Sequence, residues 1–136
     1  MTSETIAAKL VSIGRCVERI REHTPASPEE LGSDYDAQDI ISVNLQRAVQ
    51  LSVDAAGVII AARGLPSPAT MADSFRTLAE AGVLDRESAE RLAKAVGFRN
   101  ISVHEYEEID WKIVYSIVTE KLDDFRAFVR AVKAEV

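Results

Sequence analysis

The chain has 136 residues, the size of one domain, and carries 16 basic against 22 acidic residues, for a formal net charge of −6. Apolar residues make up 47% of the sequence and aromatic residues only 6%, a balance that favours packed helices over aromatic-rich strands. A protein that binds nucleic acid without sequence preference usually has a clear basic excess. Any nucleic acid must therefore meet a local basic site on this chain.

The single cysteine, Cys16, and the N-terminal sequence indicate the compartment. One cysteine forms no disulfide within the chain, which suits a reducing cytosol. Cys16 lies on an apolar helical stripe, so we expect it to pack rather than react. The first residues show neither an apolar signal core nor a cleavage site, and no stretch approaches the roughly 20 apolar residues that span a bilayer. We therefore expect one cytoplasmic domain over residues 1–136, without a membrane segment.

The first half of the chain contains three predicted helices. A helix is predicted over about 4–23, and its apolar residues recur at alternating steps of four and three: Ile6, Leu10, Ile13, Val17 and Ile20. Prolines and a glycine in 24–33 predict a loop. A long helix follows over about 36–62 and is apolar on a wide face, so we expect it to be central. A short helix is predicted over 70–81, with Gly82 as its C-terminal cap.

Two further helices are predicted in the second half of the chain. One begins near Asp85, a good N-cap residue, and continues into 97–103. The other covers about 110–134, with an apolar stripe from Trp111 to Val132. No segment alternates with the period of a strand, and no linker divides the chain. The sequence predicts an all-α antiparallel bundle of four main helices plus a short one.

One apolar stripe is interrupted by a charge. Arg99 lies three residues after Val96 and four before Val103, near the middle of the buried face of its helix. Burying an unpaired guanidinium is costly, so Arg99 must be paired or belong to a site or an interface. Asn100 borders the same face. A purely structural alternative pairs Arg99 with Asp36 or Asp39.

His104 follows Arg99 by five residues, a rotation of roughly 140° on an ideal helix. Two arrangements would bring the two side chains together: the helix ends or kinks between them, or two copies meet across a two-fold axis. A lone histidine near a helix end is otherwise a cap or a solvated residue. His23, the other histidine, stands at the end of the first helix and fits the negative end of its dipole.

The segment from Arg99 to Tyr106 carries a family resemblance. It reads Arg99-Asn100-Ile101-Ser102-Val103-His104-Glu105-Tyr106. This resembles the signature of the HepT-like branch of the HEPN superfamily, in which Asn follows Arg directly, His comes four to six residues further on, and Tyr stands two after His. Chain length, the long second helix entered through acidic residues, and the last helix directly after the motif also resemble the family layout.

The resemblance implies a HEPN-like homodimer whose two motifs face each other in a cleft. It implies a metal-independent endoribonuclease, the toxin of a type VII toxin–antitoxin system. The implied partner is a minimal nucleotidyltransferase that acts as antitoxin and transfers AMP to the motif tyrosine, here Tyr106. An AMP group adds negative charge and bulk beside Arg99, which would repel RNA. The plainer alternative for Tyr106 is a half-exposed ring that packs on the next helix.

The residue types suit RNA cleavage by the 2′-hydroxyl. His104 is suited to proton transfer near neutral pH, and Arg99 to the phosphate, because its guanidinium is a permanently charged fork of donors. Asn100 would orient the His104 segment or donate a hydrogen bond to phosphate. Two isolated histidines and one cysteine have no metal-ligand spacing, and no glycine-rich phosphate loop is present. We therefore expect neither metal nor cofactor.

Two other functions remain open from the sequence. The chain is alternatively a non-catalytic HEPN binding module that docks a nucleotidyltransferase or a nucleotide, or a plain structural dimerisation bundle. Between Arg86 and Arg99, four basic residues stand against two acidic ones. This segment is either a modest positive patch beside the motif or an ordinary mixed-charge helix face.

Overall fold

A computed structural model describes residues 2–104, 107 and 109–136, with 2, 3, 103 and 104 described by their backbone alone. This part of the chain is helical and without strands, which confirms the predicted all-α bundle. The helices are, in chain order, α1 (Thr2–His23), α2 (Pro28–Ser33), α3 (Tyr35–Ala62), α4 (Met71–Glu80), α5 (Arg86–His104), α6 (Trp111–Glu120) and α7 (Asp123–Lys133).

The predicted loop over 24–33 is wrong in its second half, where α2 forms. Pro28 stands at the start of this helix, where its missing N–H has no partner to lose. The Ser27 hydroxyl caps the first turn by accepting a hydrogen bond from the Glu30 backbone N–H at 3.2 Å. Leu31 is fully buried. Proline punctuation here marks a helix start, not a loop.

The predicted final helix over 110–134 is wrong as a single element, because α6 and α7 are separated at Lys121 and Leu122. Neither glycine nor proline marks this break in the sequence. Acidic residues open α7, which suits its positive end. One of them, Asp124, is buried and accepts a hydrogen bond from Arg91 Nε of α5 at 2.8 Å. The break therefore places a tertiary ion pair.

Helix α3 is the centre of the bundle, as predicted. It packs against α1, α2, α4, α5 and α7. Its buried polar side chains are satisfied locally: Ser52 Oγ donates to the Ala48 carbonyl at 2.7 Å, and Gln38 Nε2 donates to the Leu31 carbonyl at 2.9 Å. Contrary to the sequence-based expectation, α3 is long and apolar enough to cross a membrane by length and composition alone. Core helices of globular proteins pass the same test.

The C-terminal end of α4 depends on glycine, as predicted. Gly82 has φ +78°, in the left-handed region that side chains disfavour. The Val83 N–H then donates to the Leu78 carbonyl at 2.9 Å and closes the helix end.

We expect Gly82→Ala to lower the free energy of unfolding by about 1 kcal/mol, because the new side chain would be held at positive φ. The control is Gly57→Ala, in the exposed middle of α3, where an added Cβ meets nothing within 4 Å. That change is expected to raise the free energy by about 1 kcal/mol. Urea unfolding measures both, and two shifts of the same sign would contradict the assignment.

Candidate active site

Arg99 is half-buried on α5, on the side that meets α3. Its Nη2 donates to Gln50 Oε1 of α3 at 3.3 Å, and its Nη1 donates to Asn100 Oδ1 at 3.2 Å. Both acceptors are neutral amide oxygens. A guanidinium has five N–H donors, so several stay available for a bound anion. The polar position predicted in the apolar stripe is thus real, and the side chain is hydrogen-bonded without being fully buried.

No acidic residue among those described neutralises Arg99. The ion pairs in this part of the chain involve other arginines and one lysine. The structural alternative, in which Arg99 is the buried partner of Asp36 or Asp39, is therefore not what the structure shows. A permanently charged group that is held in place and left without a carboxylate is suited to a phosphate.

Gln50 was missed by the sequence reasoning. Besides accepting from Arg99, its Nε2 donates to Asp54 Oδ1 at 2.9 Å. Asp54 in turn lies 3.8 Å from the Lys9 ammonium of α1. This chain of contacts fixes the orientation of the Gln50 amide, which then positions the guanidinium. The signal available in the sequence was two polar residues one turn apart on an otherwise apolar helix.

His104 is the last residue of α5, which runs without interruption from Arg86. The alternative in which the helix ends between Arg99 and His104 is therefore wrong. The His104 side chain and the whole of Tyr106 lie outside the described residues. Asn100 is exposed beside Arg99 and accepts its hydrogen bond. The structure thus brings Arg99 and Asn100 together and adds Gln50.

His23 lies at the C-terminal end of α1, as predicted. Its Nδ1 lies 2.9 Å from the Arg19 carbonyl oxygen. This contact satisfies one of the carbonyls that a helix end leaves without a partner. The position agrees with a capping role.

The basic residues of early α5 are largely neutralised by ion pairs. Arg91 Nε lies 2.8 Å from Asp124 Oδ1, and this hydrogen bond raises the pKa of the Arg91 guanidinium. Glu90 lies 2.9 Å from Arg76 of α4, whose hydrogen bond lowers the pKa of the Glu90 carboxyl. Arg86 and Lys94 are exposed. The segment is mainly a mixed-charge helix face.

Possible metal ligands do not cluster in the part of the chain that the structure describes. Among residues 2–104, 107 and 109–136, no group of three or more His, Cys, Asp or Glu side chains is arranged to hold a metal ion. Cys16 is buried, in agreement with the predicted packing role.

Comparisons with known proteins agree in one family. The family model "Ribonuclease HepT-like" matches residues 13–132. The chain is 34% identical over 133 residues to the mRNA nuclease HepT of Shewanella oneidensis, covering 98% of this chain and 99% of that protein. It is 26% identical over 129 residues to the tRNA nuclease HepT of Aphanizomenon flos-aquae, covering 95% and 88%.

A solved structure gives the same answer at the level of the fold. The tri-AMPylated HEPN toxin of Shewanella oneidensis, in complex with an MNT antitoxin, superimposes with a TM-score of 0.88. It is 34% identical to this chain, and the match covers 96% of this chain and 97% of the other. Sequence, motif and fold lead to one conclusion: the chain belongs to the ribonuclease HepT-like family.

Proposed function

We propose that this chain is the toxin of a cytoplasmic toxin–antitoxin pair, an endoribonuclease that cuts RNA without a metal ion. The observation that carries the proposal is the Arg99 guanidinium, which is oriented by neutral amides and is not neutralised by a described acid. It stands five residues before His104 on one helix, in a chain that belongs to a ribonuclease family. The similar HepT proteins are named for mRNA and tRNA nuclease activity.

The reaction that fits these groups is transesterification at a phosphodiester. The 2′-hydroxyl loses its proton to one His104 imidazole and its oxygen bonds to phosphorus. The bond from phosphorus to the 5′-oxygen breaks, and this oxygen takes a proton from a second His104. The products are a 2′,3′-cyclic phosphate and a 5′-hydroxyl. Arg99 stabilises the charge that develops on the phosphoryl oxygens, and Asn100 adds a hydrogen-bond donor.

The proposal includes a homodimer, because the reaction needs both an acid and a base. Helix α5 continues through His104, so Arg99 and His104 are separated by about 140° of helical rotation within one copy. Two copies related by a two-fold axis would bring Arg99 of one chain toward His104 of the other. Ile101, between the two, is 41% exposed, and a second copy would cover this apolar side chain.

The proposed regulation is AMP transfer to Tyr106 by a minimal nucleotidyltransferase antitoxin. The motif places Tyr106 two residues after His104. The similar Shewanella toxin is AMPylated and is bound to an MNT antitoxin. A phosphate ester close to Arg99 would compete with the phosphate of RNA, and the nucleoside would fill the cleft.

The test is cleavage of total RNA in metal-chelating buffer by protein expressed alone and then incubated with an MNT-type nucleotidyltransferase, ATP and Mg²⁺. Before incubation we expect fragments with cyclic phosphate ends. After incubation we expect the mass to rise by AMP units and cleavage to stop. Tyr106→Phe is the control, expected to gain no AMP and to keep the activity it had before incubation.

The same experiment decides between the ribonuclease and the binding module. If the unmodified protein cuts no RNA with or without Mg²⁺, yet binds the nucleotidyltransferase or a nucleotide, the toxin proposal fails and the binding module replaces it. If cleavage appears only with Mg²⁺, the metal-independent mechanism fails. If Tyr106→Phe is silenced as fully as the parent protein, the modified residue is a different one.

A further inference from the structure

A groove of about 770 Å³ runs along the surface between α1 and α3. Its charged lining consists of Arg15 and Arg19 of α1, Arg47 of α3, and the single acid Asp39. We call it the basic groove. The chain as a whole carries a net charge of −6, so this surface, with three positive charges against one negative, has the opposite sign to the rest of the protein.

Helices α1 and α3 are antiparallel, which fixes the order of the arginines along the groove. Lys9 lies 3.8 Å from Asp54, near one end. Further along, the positive charges of Arg47 and Arg15 both act to lower the pKa of the Cys16 thiol, while burial raises that pKa. Both guanidiniums are therefore close to the same point on the groove floor, although they belong to different helices.

Arg15 and Arg47 are not neutralised, unlike most arginines of the chain. Six of the 11 arginines form ion pairs with described acids: Arg19, Arg21, Arg63, Arg76, Arg91 and Arg126. Within the described ranges, Arg15, Arg47, Arg86, Arg99 and Arg130 form none. Two of these five lie in the basic groove, and a third, Arg99, lies at its end. The pair made by Arg19, with Glu22, is long at 3.9 Å and exposed.

The basic groove is continuous with the candidate active site. Gln50 lines the groove and accepts the hydrogen bond from Arg99 Nη2 at 3.3 Å. The α3 lining extends from Asp39 to Leu51, which is roughly 18 Å of helix at 1.5 Å per residue. At the roughly 3.4 Å per nucleotide of a stacked strand, this length holds about five phosphates.

We propose that the basic groove binds the phosphate backbone of single-stranded RNA next to the cut site, with Arg15 and Arg47 contacting phosphates and Arg99 holding the reacting one. The proposal rests on the ribonuclease function and names where its substrate runs. It explains how an acidic protein binds RNA, since a backbone track supplies affinity without base recognition. A second copy of this chain is a poor occupant, because a two-fold contact would juxtapose the same arginines.

The test is binding of fluorescent single-stranded 2′-O-methyl RNA, which lacks the 2′-hydroxyl nucleophile, measured by anisotropy over a range of salt concentrations. We expect Arg15→Gln/Arg47→Gln to weaken binding about tenfold or more. We expect it also to reduce the slope of log K against log salt by about 1.4, or 0.7 for each phosphate contact. The matched control, Arg86→Gln/Arg130→Gln, removes the same charge from two exposed, unpaired arginines elsewhere and is expected to bind like the parent protein.

Charge-retaining and short-substrate experiments complete the test. Arg15→Lys/Arg47→Lys is expected to recover the salt slope, because lysine also contacts phosphate as a point charge. A dinucleotide reaches only the Arg99 end, so the Gln variant should cut it at the rate of the parent protein while cutting longer RNA about tenfold less efficiently.

Equal affinity and equal salt slope for the groove variant and its control would overturn the groove proposal, even if the parent protein cuts RNA. Loss of antitoxin binding or of self-association, with RNA binding unchanged, would also overturn it and identify a protein interface. A parent protein that cuts no RNA, together with RNA binding that depends on Arg15 and Arg47, would leave the groove in place and remove the ribonuclease function.

Discussion

His104→Ala is expected to lower the rate of RNA cleavage by roughly 10²–10⁴-fold, the usual contribution of a positioned acid or base. In the proposed dimer, one substitution removes the proton acceptor for the 2′-hydroxyl and the proton donor for the 5′-oxygen together. The loss should therefore fall toward the upper end of the range. His104 is the last residue of α5, so the substitution should leave the helical fold unchanged by circular dichroism.

The matched control is His23→Ala. His23 lies at the end of α1 and contacts only its own helix through the Arg19 carbonyl, so cleavage should match that of the parent protein. Initial rates on a labelled RNA in chelating buffer measure both variants. Cleavage by His104→Ala at the parental rate would remove this histidine from the mechanism. A similar loss in both variants would point to stability instead.

Phe128→Ala is expected to lower the free energy of unfolding by about 3–5 kcal/mol, the range for truncating a buried phenylalanine. Phe128 of α7 is fully buried, and its ring meets Phe75 of α4 edge to face, with centroids 5.7 Å apart and planes at 84°. The substitution removes this aromatic contact and leaves a cavity where α7 packs on the bundle.

The control is Tyr35→Ala, at an aromatic residue that is 74% exposed at the start of α3. Surface changes away from special features usually stay within about 0.5 kcal/mol. Urea denaturation measures both variants. A loss below about 1 kcal/mol for Phe128→Ala would show that the interface between α4 and α7 closes around the smaller side chain or contributes little to the fold.

The local pattern of the sequence was enough to predict the helical class and most of the helices. The stripe Ile6, Leu10, Ile13, Val17 and Ile20 is buried throughout, and α1 ends at His23 as expected. Gly82 closes α4. These features depend on residues within a turn or two of each other. The motif from Arg99 to Tyr106 is also contiguous in the chain, which is why a single stretch of sequence indicated the family.

Only the tertiary structure decided the features that join distant residues. The break between α6 and α7 accompanies the ion pair of Asp124 with Arg91, and neither residue reveals it in sequence. Gln50 holds Arg99 from 49 residues away. Arg15 and Arg47 share a groove because α1 and α3 pack antiparallel in one register. The sequence by itself determined which residues are charged and which helix face each occupies. Which of those charges are neutralised and which remain free for a phosphate depended on helix packing, because an ion pair requires two side chains to meet in space.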